Sequence, residues 1–82
     1  MSQIERLRTD GTVEALADAD LATLQDAVGG YVELLALSNG DQMYVNEDGR
    51  QMSLPVNIAA TEMYRGCTIV GDVVVVRQSM MN

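Results

Sequence analysis

Eighty-two residues limit the chain to one small domain with a single modest core, leaving no space for a cofactor domain beside a substrate domain. Twelve acids stand against five bases, all of them arginine, for a net charge of −7; no basic patch or basic helix can be assembled, which argues against nucleic-acid and anionic-membrane binding. One cysteine and no histidine exclude a disulfide-built fold and a Cys–His pair within the chain, and leave zinc without its usual ligands.

An apolar share of 48% is that of a globular chain, and with Phe and Trp absent the core must be aliphatic. The first residues, Met1 to Arg6, lack the apolar run of a signal peptide. Together with the lone Cys67 this predicts a cytoplasmic protein.

Residues 3–17 predict a hairpin. Asp10-Gly11 is a two-residue type I′ turn signal, with arms Gln3–Thr9 and Thr12–Ala17. Ile4 and Leu7 fall on opposite faces, and Glu5, Arg6 and Arg8 crowd the first arm, which suits a peripheral strand. The stretch Asp18–Val28 reads as a helix, with Leu21, Leu24 and Val28 on one stripe, Asp20 as N-cap and Gly29-Gly30 as the stop. Tyr31–Leu37 follows as a strand. Asn39-Gly40 marks a turn into Gln42–Asn46, and Glu47-Asp48-Gly49 a turn into a short third arm, Arg50–Ser53.

Leu54-Pro55 breaks the pattern, after which Asn57 caps a short helix, Ile58–Arg65, with Ala60, Met63 and Tyr64 on one face and Gly66 as its stop. The last strong element is Ile69–Val76. Four consecutive valines, 73–76, alternate sides of a strand and make both faces apolar. Such a strand belongs inside a sheet, sheltered on each side by the same chain or by a partner. The predicted fold is α+β: a mixed or antiparallel sheet of four to five strands with two short helices, in which Val73–Val76 pairs with Tyr31–Leu37. Residues 3–17 form the N-terminal hairpin, 18–78 the core and 79–82 a fraying tail. So small a chain covers a two-faced sheet with difficulty, which predicts a homodimer.

Four ordered blocks carry a family resemblance: Val28-Gly29-Gly30-Tyr31-Val32-Glu33, then Val45-Asn46-Glu47-Asp48-Gly49, then Leu54-Pro55-Val56-Asn57 with Ala59-Ala60-Thr61, then Ile69-Val70-Gly71-Asp72-Val73. From Val28 to Val76 the chain resembles a small domain family of unknown function found in phages, prophages, plasmids and bacterial genomes. The resemblance implies an α+β fold and a mobile-element setting. It supplies no catalytic residue and no ligand.

Chemistry-bearing residues are few. Cys67 has no base to activate it and reads as a buried or half-buried structural thiol. Asn46, Glu47 and Asp48 offer oxygen ligands to Ca²⁺ or Mg²⁺, but turns collect these residues, and the spacing is not that of an EF-hand loop. Glu33 and Asp72 lie in or beside apolar strands, where a charge sits at an edge, pairs with an arginine or has a raised pKa, and Arg65 or Arg77 at the sheet margin is the expected partner of Glu33. No catalytic residue, metal ligand or cofactor is predicted.

Two surfaces stand as candidates. Glu5, Asp10, Glu14, Asp18, Asp20 and Asp26 concentrate negative charge in the first 26 residues, and could form an acidic face for a basic groove on a host or defence protein. Alternatively, Arg50, Arg65 or Arg77 would face an anion if the domain binds a nucleotide or metabolite. The sequence therefore predicts a non-catalytic accessory protein that binds a protein partner, with a small-molecule binding or structural domain as the competing readings.

Overall fold

The computed structural model describes residues 3–78; the predicted tail at 79–82 lies outside them. Five strands and two helices follow in the order β1 (Ile4–Leu7), β2 (Val13–Ala15), α1 (Leu21–Val28), β3 (Val32–Ala36), β4 (Gln42–Asn46), α2 (Ile58–Tyr64) and β5 (Val73–Val76). The strands form one sheet in the order β2-β1-β5-β4-β3, with every pairing antiparallel. The α+β expectation is met in its antiparallel, five-stranded form.

Val73–Val76 occupies the middle of the sheet, as its composition requires, and all four valines are buried. Fully burying a valine contributes about 1.5–3 kcal/mol, so this strand is a large share of what holds so small a domain together. Its neighbours differ from the expected ones. The strand β5 pairs with β1 (Leu7 opposite Val73) and with β4 (Tyr44 opposite Val74), while β3 lies at the outer edge beside β4. The pattern of Tyr31–Leu37 resembles that of an interior strand, but strand order is set by which faces the helices can cover, and pattern alone does not encode it.

Each face of the sheet has its own cover. On one face Ile4, Val74 and Val76 pack with Leu24 and Ala27 of α1. On the other, Leu7, Met43, Val45, Val73 and Val75 pack with Ala60 of α2 and with Ile69, and Met63 and Tyr64 close the margin. The shelter that the valine strand needs is thus supplied within one chain. The first arm of the hairpin is not peripheral. Because Ile4 and Leu7 point to opposite faces, β1 needs cover on both, and it sits between β2 and β5.

Both Asx-Gly hairpins close through the same three-residue loop in place of the two-residue turn expected of the first. Arg8 N–H donates to Thr12 O (2.9 Å) and Leu37 N–H to Asp41 O (2.9 Å), leaving Thr9–Gly11 and Ser38–Gly40 as loops. Only Gly11 and Gly40 take positive φ, whereas a type I′ turn needs it at both central residues. The Asx side chains do a different job: Asp10 Oδ1 accepts from Thr12 N (2.9 Å) and Asn39 Oδ1 from Asp41 N (2.9 Å).

Helix α1 begins at Leu21 and not at Asp18, because Asp20 caps it by accepting from Thr23 N at 2.8 Å. Gly29 ends it in the left-handed conformation. The buried stripe is Leu24, Ala27 and Val28; Leu21, in the first turn, is 59% exposed. Helix α2 starts at the predicted cap, Asn57, but its left-handed C-cap is Arg65 and not Gly66. The third arm predicted at Arg50–Ser53 is a run of turns, with Met52 N–H on Asp48 O and Leu54 N–H on Gly49 O. It has no open strand edge to join, since β4 is already flanked by β3 and β5. No helix among the described residues is long and apolar enough to cross a membrane.

Candidate functional site

The hydrogen bonds at the two ends of the β3–β4 ladder fix which way each backbone group of β3 points. Glu47 N–H donates to Tyr31 O (2.8 Å), and Leu37 N–H donates to Asp41 O (2.9 Å). In an antiparallel pair, bonded and non-bonded residues alternate. Residues 31, 33, 35 and 37 therefore spend their backbone groups on β4, and those of Val32, Leu34 and Ala36 point outward along a free edge.

Beside this edge, on the α2 side of the sheet, lies a cleft of about 540 Å³. Its floor is Leu35 and Val45, with the exposed Glu33 at the rim. Tyr64 and the segment Cys67–Val70 make one wall, and Glu47, Arg50 and Gln51 the other. Arg50 Nη2 is held by the Thr68 carbonyl at 2.9 Å, so its charge is turned to the far wall. Glu33 is exposed and makes no ion pair among the described residues, including with Arg65 or Arg77. Cys67 is exposed and not buried, because Gly66 and Thr68 carry it around the loop after α2, outside the core.

Most of the predicted acidic face is spent within the fold, on cross-strand ion pairs, a turn and a helix start. Glu5 pairs with Arg77, which also reaches Asp41 (3.3 Å). Glu14 pairs with Arg6 (3.2 Å) and Arg8 (3.4 Å). Asp10 closes its hairpin loop, and Asp18 and Asp20 both serve the start of α1 through Thr23. Hydrogen bonds from Thr12 hold Asp10, and those from Thr23 hold Asp20, below the ordinary carboxylate range. Asp26, on α1, lines a second cleft of about 270 Å³ with Arg6, Leu54, Pro55 and Asp72. There Asp72 accepts from Arg6 Nη2 (3.2 Å) and Thr9 N–H (3.0 Å), the arginine partnership that is one of its expected settings, and Arg6 Nε is buried with no partner among the described residues.

The three arginines proposed for an anion do not converge. Arg50 lines the larger cleft and Arg65 caps α2 in the open. Arg77 is neutralised by Glu5 first and Asp41 second, which together raise its pKa. Asn46 is likewise consumed: its Nδ2 donates to Val28 O (3.0 Å) and its Oδ1 accepts from Asp48 N (2.8 Å), the geometry of a turn.

The free edge and the cleft have no local signature beyond the alternation Val32, Leu34, Ala36 with a single intervening charge, Glu33. No curated protein and no solved structure matches the chain. A family model described as a domain of unknown function (DUF3846) matches residues 4–80, so all five strands and both helices lie within it, and the chain belongs to that family.

Proposed function

We propose that this chain is a non-catalytic accessory protein of a phage or other mobile element, acting by binding a host or defence protein. The observation that supports this best is the pairing of an open, largely apolar strand edge with an adjoining cleft whose rim carries Glu33 and Glu47. Such a surface offers main-chain hydrogen bonds, apolar contact and negative charge together, which is what a protein partner uses. The cleft's one thiol, Cys67, lacks the activation that nucleophilic catalysis needs, since the chain has no histidine to serve as its base. The competing nucleotide or metabolite reading needs converging cations, and only Arg50 lines the cleft.

Affinity capture from a bacterial host lysate, with the tagged chain as bait at low and moderate salt, tests the proposal. A specific partner whose retention falls as salt rises is expected. Recovery of no specific protein at either salt, together with a thermal upshift by a nucleotide or metabolite, would replace this reading with the small-molecule one.

A further inference from the structure

We infer that the outer edge of β3 takes up an extended segment of the partner as an added strand, one that alternates lysine or arginine with apolar residues; this rests on the partner-binding reading above. The backbone argument comes first. Val32, Leu34 and Ala36 present three N–H and three C=O groups in register along an edge with no bonded neighbour among the described residues. A peptide strand satisfies all of them with main-chain hydrogen bonds. The devices that normally blunt an edge, lysine, proline or a bulge, are missing from Val32–Ala36. The opposite edge differs: β2 is three residues long, and its Glu14 is tied to Arg6 and Arg8.

Side-chain chemistry then selects the occupant. Val32, Leu34 and Ala36 share one face, where Leu34 is 49% exposed opposite Tyr44. Apolar residues of the incoming strand cover this row. On the other face Glu33 stands at the rim with no ion pair among the described residues, and Glu47 also lines the cleft, so the intervening residues are cationic. A second copy of this chain fits less well. Pairing β3 with itself about Leu34 sets the two Glu33 residues diagonally on one face, at a residue spacing of about 7–8 Å, between two bodies that each carry a charge of −7.

The probe is a capped peptide alternating lysine with valine, with a glutamate–valine twin as control, titrated into the full chain labelled for NMR. Binding of the lysine peptide alone is expected, weakening with salt, with shifts and slowed exchange at the amides of Val32, Leu34 and Ala36. Leu34→Pro removes an outward N–H while sparing the β4 ladder, and is expected to weaken binding about tenfold or more. Glu33→Lys leaves the backbone intact and is expected to switch preference to the glutamate twin. Equal affinity for both peptides, shifts confined to the Asp26–Pro55 cleft, or β3 amides protected by self-association without peptide would each overturn strand addition. A lysate partner that both variants still retain would also overturn it, while leaving the partner-binding proposal standing.

Discussion

Asn57 and Leu7 lie 50 residues apart in the chain and are joined directly, Asn57 Nδ2 donating to the Leu7 carbonyl at 3.0 Å. The same amide donates to Gly71 O (3.0 Å), and its Oδ1 accepts from Ala60 N (3.1 Å). One side chain, 1% exposed, therefore caps α2 and ties it to β1 and to the entry of β5. Asn57→Ala removes the cap and strands two buried carbonyls, so urea denaturation should show a loss of about 2–4 kcal/mol. Asn57→Asp keeps the acceptor but sets a carboxylate against both carbonyls. It should also destabilise, unlike the same change at an exposed cap.

Two glycines separate backbone strain from packing. Both Gly29 (φ +81) and Gly71 (φ +79) are left-handed, but a Cβ at Gly29 meets nothing within 4 Å, while one at Gly71 lies 2.7 Å from Leu54 Cδ1. Gly29→Ala should cost about 1–2 kcal/mol. Gly71→Ala should cost about 2–3 kcal/mol, the excess being moderate because the contact is a side-chain methyl that can shift. Denaturant midpoints at constant m-value check the difference.

The Asp41 cluster should make stability fall in acid. Burial works to raise the Asp41 pKa, but the Gln78 N–H (2.7 Å), Arg77 and Asn39 outweigh it, and the net shift is below the ordinary 3.8. A carboxylate depressed by folding binds fewer protons in the native state than in the unfolded one. Its stabilisation is complete above the unfolded value and is lost as pH falls from about 4 toward the lower native value. Asp41→Asn should lower stability at neutral pH and flatten this acid limb in thermal melts across pH.

Leu21 and Leu24 share a predicted stripe but not an environment. Leu24 is 5% exposed against Val74 and Ile4, whereas Leu21 is open. Leu24→Ala should cost about 2–4 kcal/mol, and Leu21→Ala within about 0.5 kcal/mol of nothing. Similar losses at both positions would mean that α1 packs on a different face.

Cys67 should react with a thiol reagent in the native protein as fast as in urea, since the residue is exposed. Labelling should leave the melting temperature unchanged; modification only on unfolding would contradict the exposed loop.

The sequence by itself determined the local events, because each depends on residues within a few positions of one another. Asp20 and Asn57 as caps, Gly29 as a stop, the Asx-Gly hairpins and the two-faced valine strand are of this kind. Even there, local pattern leaves loop length open at the first hairpin, since Asp10-Gly11 serves a three-residue loop as well as a two-residue one.

Tertiary structure alone decided the strand order, and with it the candidate site. The four valines of β5 call for an interior place, but nothing local says which strands flank it or that β3 lies at the edge. The choice follows from cover: α1 and α2 bury both faces of β5, while on β3 only Val32 and Leu35 pack at the margins of the two clusters and one set of backbone groups has no partner among the described residues. The fate of the charges has the same origin. Glu5, Glu14 and Asp72 find their arginines across strands, and Glu33 finds none among the described residues, because ion pairing depends on proximity in three dimensions and the strand order sets that.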